Sequence, residues 1–121
     1  MSYKLIIAGG RGYRLRSDHQ RRLEALFGHR TDLEVVSGGC SGADMAGEVW
    51  AHKRGLKVTR MPADWDTHGP AAGPIRNRKM AEYADALFYF PGSRGTLNMV
   101  REAQALGLPI FAAEDDSIDH L

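Results

Sequence analysis

Short apolar runs alternate with longer amphipathic stretches along the whole chain, and nearly every run stops at glycine or proline. Leu5-Ile6-Ile7-Ala8 stops at Gly9-Gly10, and Leu33-Glu34-Val35-Val36 runs into Ser37-Gly38-Gly39. Lys57-Val58-Thr59-Arg60-Met61 precedes Pro62, Ala86-Leu87-Phe88-Tyr89-Phe90 breaks at Pro91-Gly92, and Pro109-Ile110-Phe111-Ala112 comes last. Runs of this length read as strands, and the stretches between them follow helical spacing. Repeated strand-helix alternation gives right-handed βαβ units and a parallel sheet covered on both faces. The expected fold class is therefore α/β, a Rossmann-like doubly wound parallel sheet of five strands with helices on both faces.

The helices can be sketched more finely. Ser17 or Asp18 is placed to cap the first, with Leu23, Leu26 and Phe27 on one face and Gly28 as its stop. The second begins near Ala43-Asp44, turns Ala46, Val49, Trp50 and the stem of Lys53 inward, and ends at Gly55. An irregular stretch is expected from Pro62 to Gly73, and Pro74 suits the first turn of the helix carrying Arg76 to Ala81. The last helix is expected to face Leu97, Val100, Ala103 and Leu106 inward and to end at Gly107.

A chain of 121 residues has room for one such domain, expected over 1–113 with an acidic tail over 114–121. It buries about two-thirds of the surface its unfolded form exposes, enough to fold without a disulfide or metal staple. The 16 Lys+Arg against 15 Asp+Glu leave a net charge of +1, which offers no global field for DNA or RNA. Nucleic acid is thus an unfavoured partner. Arg14, Arg16, Arg21 and Arg22 form a local basic run that a solvated helix face explains. No run approaches the roughly 20 apolar residues of a membrane span, and no signal-peptide stretch opens the chain, so a cytoplasmic location is expected.

The site is expected beyond the carboxyl ends of the strands, where the strand order switches. Glycine clusters fall at three of those ends, at Gly9-Gly10, Gly38-Gly39 and Gly92 with Gly95. Each leads to a helix N-terminus, whose free N–H groups and partial positive charge suit phosphate. Glycines that merely turn the chain are the competing explanation for any one cluster. No cluster fits the GxxxxGK[ST] or GxGxxG patterns, which disfavours a P-loop enzyme or an ordinary dinucleotide dehydrogenase.

Several residues join these glycines as ligand candidates. Thr96 has a hydroxyl to offer an anion or to cap its helix, and Ser93 and Arg94 precede it. Arg76 and Arg78 flank Asn77 in early helical turns, so one is expected to face the ligand and the other solvent. Arg11 follows the first glycine pair, and Ser41 and Gly42 close the second cluster. Trp65 either stacks on a base or plugs its loop onto the core. Asp44, Asp64 and, more weakly, Glu48 are the acid–base candidates; for Asp44 a helix-dipole carboxylate is the plain alternative. Cys40 precedes a helix N-terminus, but no histidine neighbours it to make a nucleophilic pair. The five histidines lack HxxxH spacing, so no structural metal is expected, and a divalent ion would enter only with a phosphate ligand.

Pro91-Gly92-Ser93-Arg94-Gly95-Thr96 resembles the PGGxGT signature of the SLOG superfamily, which joins Lonely-guy phosphoribohydrolases to Smf/DprA-type proteins. Ala8-Gly9-Gly10-Arg11, Ser37 to Asp44, Ala63-Asp64-Trp65 and Ala72 to Arg78 are similar to the YspA/YpsA-related branch. The resemblance implies a Rossmann-like fold, strand order 3-2-1-4-5, a nucleotide or nucleotide-derived ligand, and homo-oligomers. Lonely-guy enzymes extend the signature to PGGxGTxxE, where the glutamate is catalytic; the matching position here is Met99. Three functions stand on these residues: a nucleotide hydrolase, a non-catalytic nucleotide sensor or sequestering module, and a single-strand nucleic-acid binder.

Overall fold

The computed structural model describes residues 2–114. Five strands form one parallel sheet: β1 (Tyr3–Ala8), β2 (Leu33–Ser37), β3 (Lys57–Arg60), β4 (Ala86–Tyr89) and β5 (Ile110–Ala112). Their order is β3-β2-β1-β4-β5, as the resemblance implies. The register at the centre pairs Leu5 with Val35 on one side and with Ala86 on the other. The helices are α1 (Ser17–Phe27), α2 (Ala43–Lys53), α3 (Trp65–His68), α4 (Ala72–Tyr83) and α5 (Arg94–Ala105). Of the acidic tail expected over 114–121, only Glu114 is among the described residues.

Two cores flank the sheet. Leu5 and Ile7 point to one, where they meet Leu23 and Phe27 of α1 and Trp50 and Ala51 of α2. Ile6 and Ala8 point to the other, where they meet Met80 and Ala81 of α4 and Met99 and Ala103 of α5. This is the period-two alternation of a strand buried on both faces. The connection from β3 to β4 crosses the sheet and changes face. The strand ends at β1 and β4 therefore open between helices that leave in opposite directions.

Four expectations need correction. The first concerns the start of α1: Arg16 occupies the N-cap position and no side chain caps the helix. Asp18 is held instead by the Arg16 guanidinium, at 3.0 and 2.7 Å. The second concerns α2, which buries Ala43, Gly47, Trp50 and Ala51 together with Asp44 and Glu48, while Val49 is exposed. Small residues let this helix lie close on the sheet: a Cβ at Gly47 would come within 2.7 Å of Ile7 Cγ2. The apolar side chains of Met45 and Val49 consequently turn outward, and Ala46 is only partly buried.

The third correction is to α5, whose inward face is Thr96, Met99 and Ala103, with Val100 partly buried. Leu97 falls beside that face, and Leu106 lies past the helix end; both are exposed. The fourth concerns Pro62 to Gly73, which is not wholly irregular. It holds the single turn α3, and a 3₁₀ turn over Gly69–Ala71 leads into α4. The Asp64 carboxylate accepts the Thr67 N–H at 3.1 Å and so starts α3.

Candidate functional site

A cleft of about 1020 Å³ lies at the carboxyl ends of β1 and β4. The loops after these strands touch across its floor, where the Gly10 N–H donates to the Pro91 carbonyl at 3.0 Å. The Gly10 carbonyl also accepts the Ala43 N–H at 3.0 Å, which anchors the start of α2. Gly42 makes that approach possible. Its φ is +73°, and a Cβ would strike the carbonyl oxygens of Gly10 and Arg11. Thus the first two glycine clusters are packed against each other and the third closes over them.

One wall is the N-terminus of α5. The first intrahelical bond there joins the Leu97 N–H to the Ser93 carbonyl, and the Ser93 side chain makes no cap. The N–H groups of Arg94, Gly95 and Thr96 precede that bond and point toward the helix entrance. Asn77 of α4 fixes this wall by donating to Asn98 Oδ1 at 2.8 Å. Arg76 fixes the wall opposite. Its Nε donates to Asn77 Oδ1 at 2.9 Å and its Nη1 to the Gly38 carbonyl at 2.8 Å. Arg78 is exposed and pairs with Glu82 and Glu102, so the two arginines divide between cleft and surface as their spacing predicts.

The three acids have different surroundings. Asp44 lines the cleft, is 7% exposed, and accepts the Cys40 N–H at 3.0 Å. Burial pushes its carboxyl above the usual range, and the Cys40 bond and the Arg76 charge only partly offset this. Glu48, one turn on, lies behind the cleft. Burial alone would raise its pKa, but bonds from Arg60 and Ser37 hold it below the ordinary value. Asp64 is exposed and serves as the α3 cap; the Thr67 bonds lower its pKa. It faces a separate depression of about 250 Å³ beside Met61 and His68.

A family model described as YAcAr, the YspA, cpYpsA-related SLOG family, matches residues 3–68. The chain belongs to this family. The gene 61 protein of Mycobacterium phage D29 is 41% identical over 87 residues, 65% of this chain and 70% of the phage protein. DNA processing protein A (DprA) from Streptococcus pneumoniae shares the fold at a TM-score of 0.71 and 20% identity. That likeness covers 93% of this chain but half of the DprA chain.

For this YAcAr-family chain the sequence-predicted residues divide plainly. Gly9, Gly10, Arg11, Gly38, Asp44, Trp65, Arg76, Asn77, Gly92, Ser93, Arg94, Gly95 and Thr96 all line the cleft. Gly39, Ser41, Gly42, Glu48 and Asp64 do not. The Ser41 hydroxyl donates to the Arg11 carbonyl at 3.1 Å and so braces the loop from behind. Cys40 is a lining residue and a free thiol. Sequence reasoning missed Arg101, Asn98 and Tyr13 as lining residues. Arg101 was findable, since it stands seven residues after Arg94 on the same helix face. Tyr13 carried no such signal; its hydroxyl is engaged by buried His19 at 2.6 Å. Met99, at the Lonely-guy glutamate position, is 2% exposed; it packs in the core and also borders the cleft. Among the described residues no group of three or more His, Cys, Asp or Glu gathers as metal ligands, and no helix is long and apolar enough to cross a membrane.

Proposed function

We propose that this chain binds a nucleotide or nucleotide-derived molecule, with phosphate at the entrance of α5 and the sugar toward Asp44. One observation carries the reading. Arg11, Arg76, Arg94 and Arg101 line the cleft against one carboxylate among the described residues, Asp44, in a chain whose net charge is only +1. The cationic side chains are concentrated where helix N–H groups also point. Guanidinium forks and free N–H groups together match a phosphate. The glycines let its oxygens approach the backbone.

Among the described residues Asp44 is the one acid in the lining, so hydrolysis at this site would run through it. Met99 borders the cleft without a carboxyl to offer, which argues against the Lonely-guy route and supports a sensor that returns its ligand unchanged. A nucleic-acid strand is the second reading, favoured by the fold shared with a DNA processing protein. Homo-oligomers are also proposed, supported by the exposed Met45 and Val49 on one face of α2; light scattering tests this.

The deciding experiment incubates the protein with AMP, NAD and ADP-ribose, follows binding by calorimetry, and analyses the ligands by chromatography with mass detection. Binding that weakens in Arg94→Ala and Arg101→Ala supports the site. A released base or phosphate makes the protein an enzyme, and loss of release in Asp44→Asn assigns the acid. Failure of every nucleotide to bind refutes the proposal, and steeply salt-dependent binding to single strands in its place favours the second reading.

A further inference from the structure

Trp65 is the large aromatic side chain that packing does not explain. It is 46% exposed, whereas the second tryptophan, Trp50, is 5% exposed and bonded to Glu24 at 2.8 Å. Its position is nonetheless fixed. The Asp64 cap sets the turn that carries it, and the ring lies beside Gly73, where a Cβ would stand 3.4 Å from Cη2. The ring lines the cleft, and the Arg11 guanidinium lies 5.7 Å from its centroid. That is within cation–π reach.

Resting on the nucleotide reading above, we infer that Trp65 is the platform on which the ligand's aromatic base stacks. It makes the site select a nucleotide over the bare sugar phosphate. A base in van der Waals contact with both the ring and the guanidinium would need about 7 Å between them. The gap is narrower, so the base takes the guanidinium's place on the ring. Arg11, displaced within the same cleft, is then free to meet the ligand's anionic groups.

The test titrates the full chain with AMP, CMP and ribose 5-phosphate, using calorimetry and tryptophan fluorescence. The expected result is that AMP binds about 5- to 150-fold tighter than ribose 5-phosphate. The ratio falls toward one in Trp65→Ala and is partly kept in Trp65→Phe, which also keeps the test open if the alanine variant unfolds. AMP should quench emission in the wild type but not in Trp65→Phe, where the buried Trp50 remains as reference. An unchanged ratio in Trp65→Ala overturns the inference. Equal binding of AMP and ribose 5-phosphate by the wild type overturns it too, while leaving phosphate binding standing. Absence of binding by all three overturns the inference, and overturns the nucleotide reading as well when NAD and ADP-ribose also fail to bind.

Discussion

Gly92 and Gly95 stand three residues apart in one loop motif, yet the structure assigns them different tasks. A Cβ at Gly92 would strike Thr96 Oγ1 and come within 2.7 Å of the Gly10 backbone nitrogen. Thr96 is 8% exposed, and the Gly10 N–H is already bonded to Pro91, so neither neighbour can yield freely. Overpacking of this kind costs about 1–3 kcal/mol. For a domain of this size that lowers the melting temperature by roughly 4–12 °C. A Cβ at Gly95 would meet nothing within 4 Å. Its replacement by alanine should leave stability unchanged or raise it by up to about 1 kcal/mol, the helix-propensity difference. If Gly95 serves the ligand, Gly95→Ala weakens AMP binding in a protein that melts no lower than wild type. Circular-dichroism melts and calorimetric titrations of both variants provide the check. A Gly95→Ala protein that binds like wild type would refute the phosphate-approach argument, and a Gly92→Ala protein that melts like wild type would refute the packing argument.

Three further outcomes are expected. Glu34 and Glu48 are buried, yet hydrogen bonds hold both below their ordinary pKa, Glu34 through Tyr83, Thr59 and Ser2. The unfolded chain then binds more protons than the native one, so their stabilisation is present above the unfolded pKa and lost as pH falls through the folded value. Denaturation midpoints measured from about pH 5 down to pH 3 should flatten in Glu34→Gln and Glu48→Gln. Asp44 has the opposite sign: its raised pKa means that stability falls as pH rises through the folded value. Asp44→Asn should therefore melt higher than wild type at pH 7 while binding nucleotide less tightly, and a lower melting temperature would contradict the burial argument. Truncation in Arg60→Ala leaves the Glu48 carboxylate buried with only Ser37, at a cost of about 1–3 kcal/mol by urea denaturation.

The sheet was legible because its central strands β1, β2 and β4 are largely buried and read as apolar runs that stop at glycine or proline. The edge strands β3 and β5 are only partly buried and were read from their place in the alternation. Even Glu34 did not hide β2, since three apolar neighbours outweigh one acid. The helix faces were less legible. In α2 the residues against the sheet are Ala43, Gly47 and Ala51, which carry little apolar signal, and the larger Met45 and Val49 point outward. Periodicity follows side-chain hydrophobicity, whereas close packing here depends on the absence of side chains. In α5 the inward face keeps Ala103 and part of Val100 as expected, but Thr96 and Met99 take the places given to Leu97 and Leu106. Most of the glycines that line the cleft were legible from their places after β1, β2 and β4, whereas Arg101, two turns into α5, was missed. What was not legible was the partnering of Glu48, which Arg60 reaches only through the folded geometry; Asp64 is engaged locally, as the cap of a helical turn within a stretch expected to be irregular.

Among the described residues the cleft has one carboxylate, Asp44, and its position limits the chemistry available. In the Lonely-guy pattern the acid follows the phosphate loop on the same helix. Here that turn of α5 carries Met99, which fills the space between helix and sheet together with Ile6, Ala8 and Leu87. The cleft carboxylate lies instead on α2, where Asp44 feels the charge of Arg76. Placing a glutamate at position 99 would thus remove a core side chain, a loss of about 2–5 kcal/mol from a truncation of comparable size. It would add the cost of desolvating a carboxylate at a position that is 2% exposed. Met99→Glu should destabilise the fold without conferring phosphoribohydrolase activity. A stable Met99→Glu protein that releases base from AMP would show that the two arrangements are interchangeable, and would return the chain to the Lonely-guy mechanism.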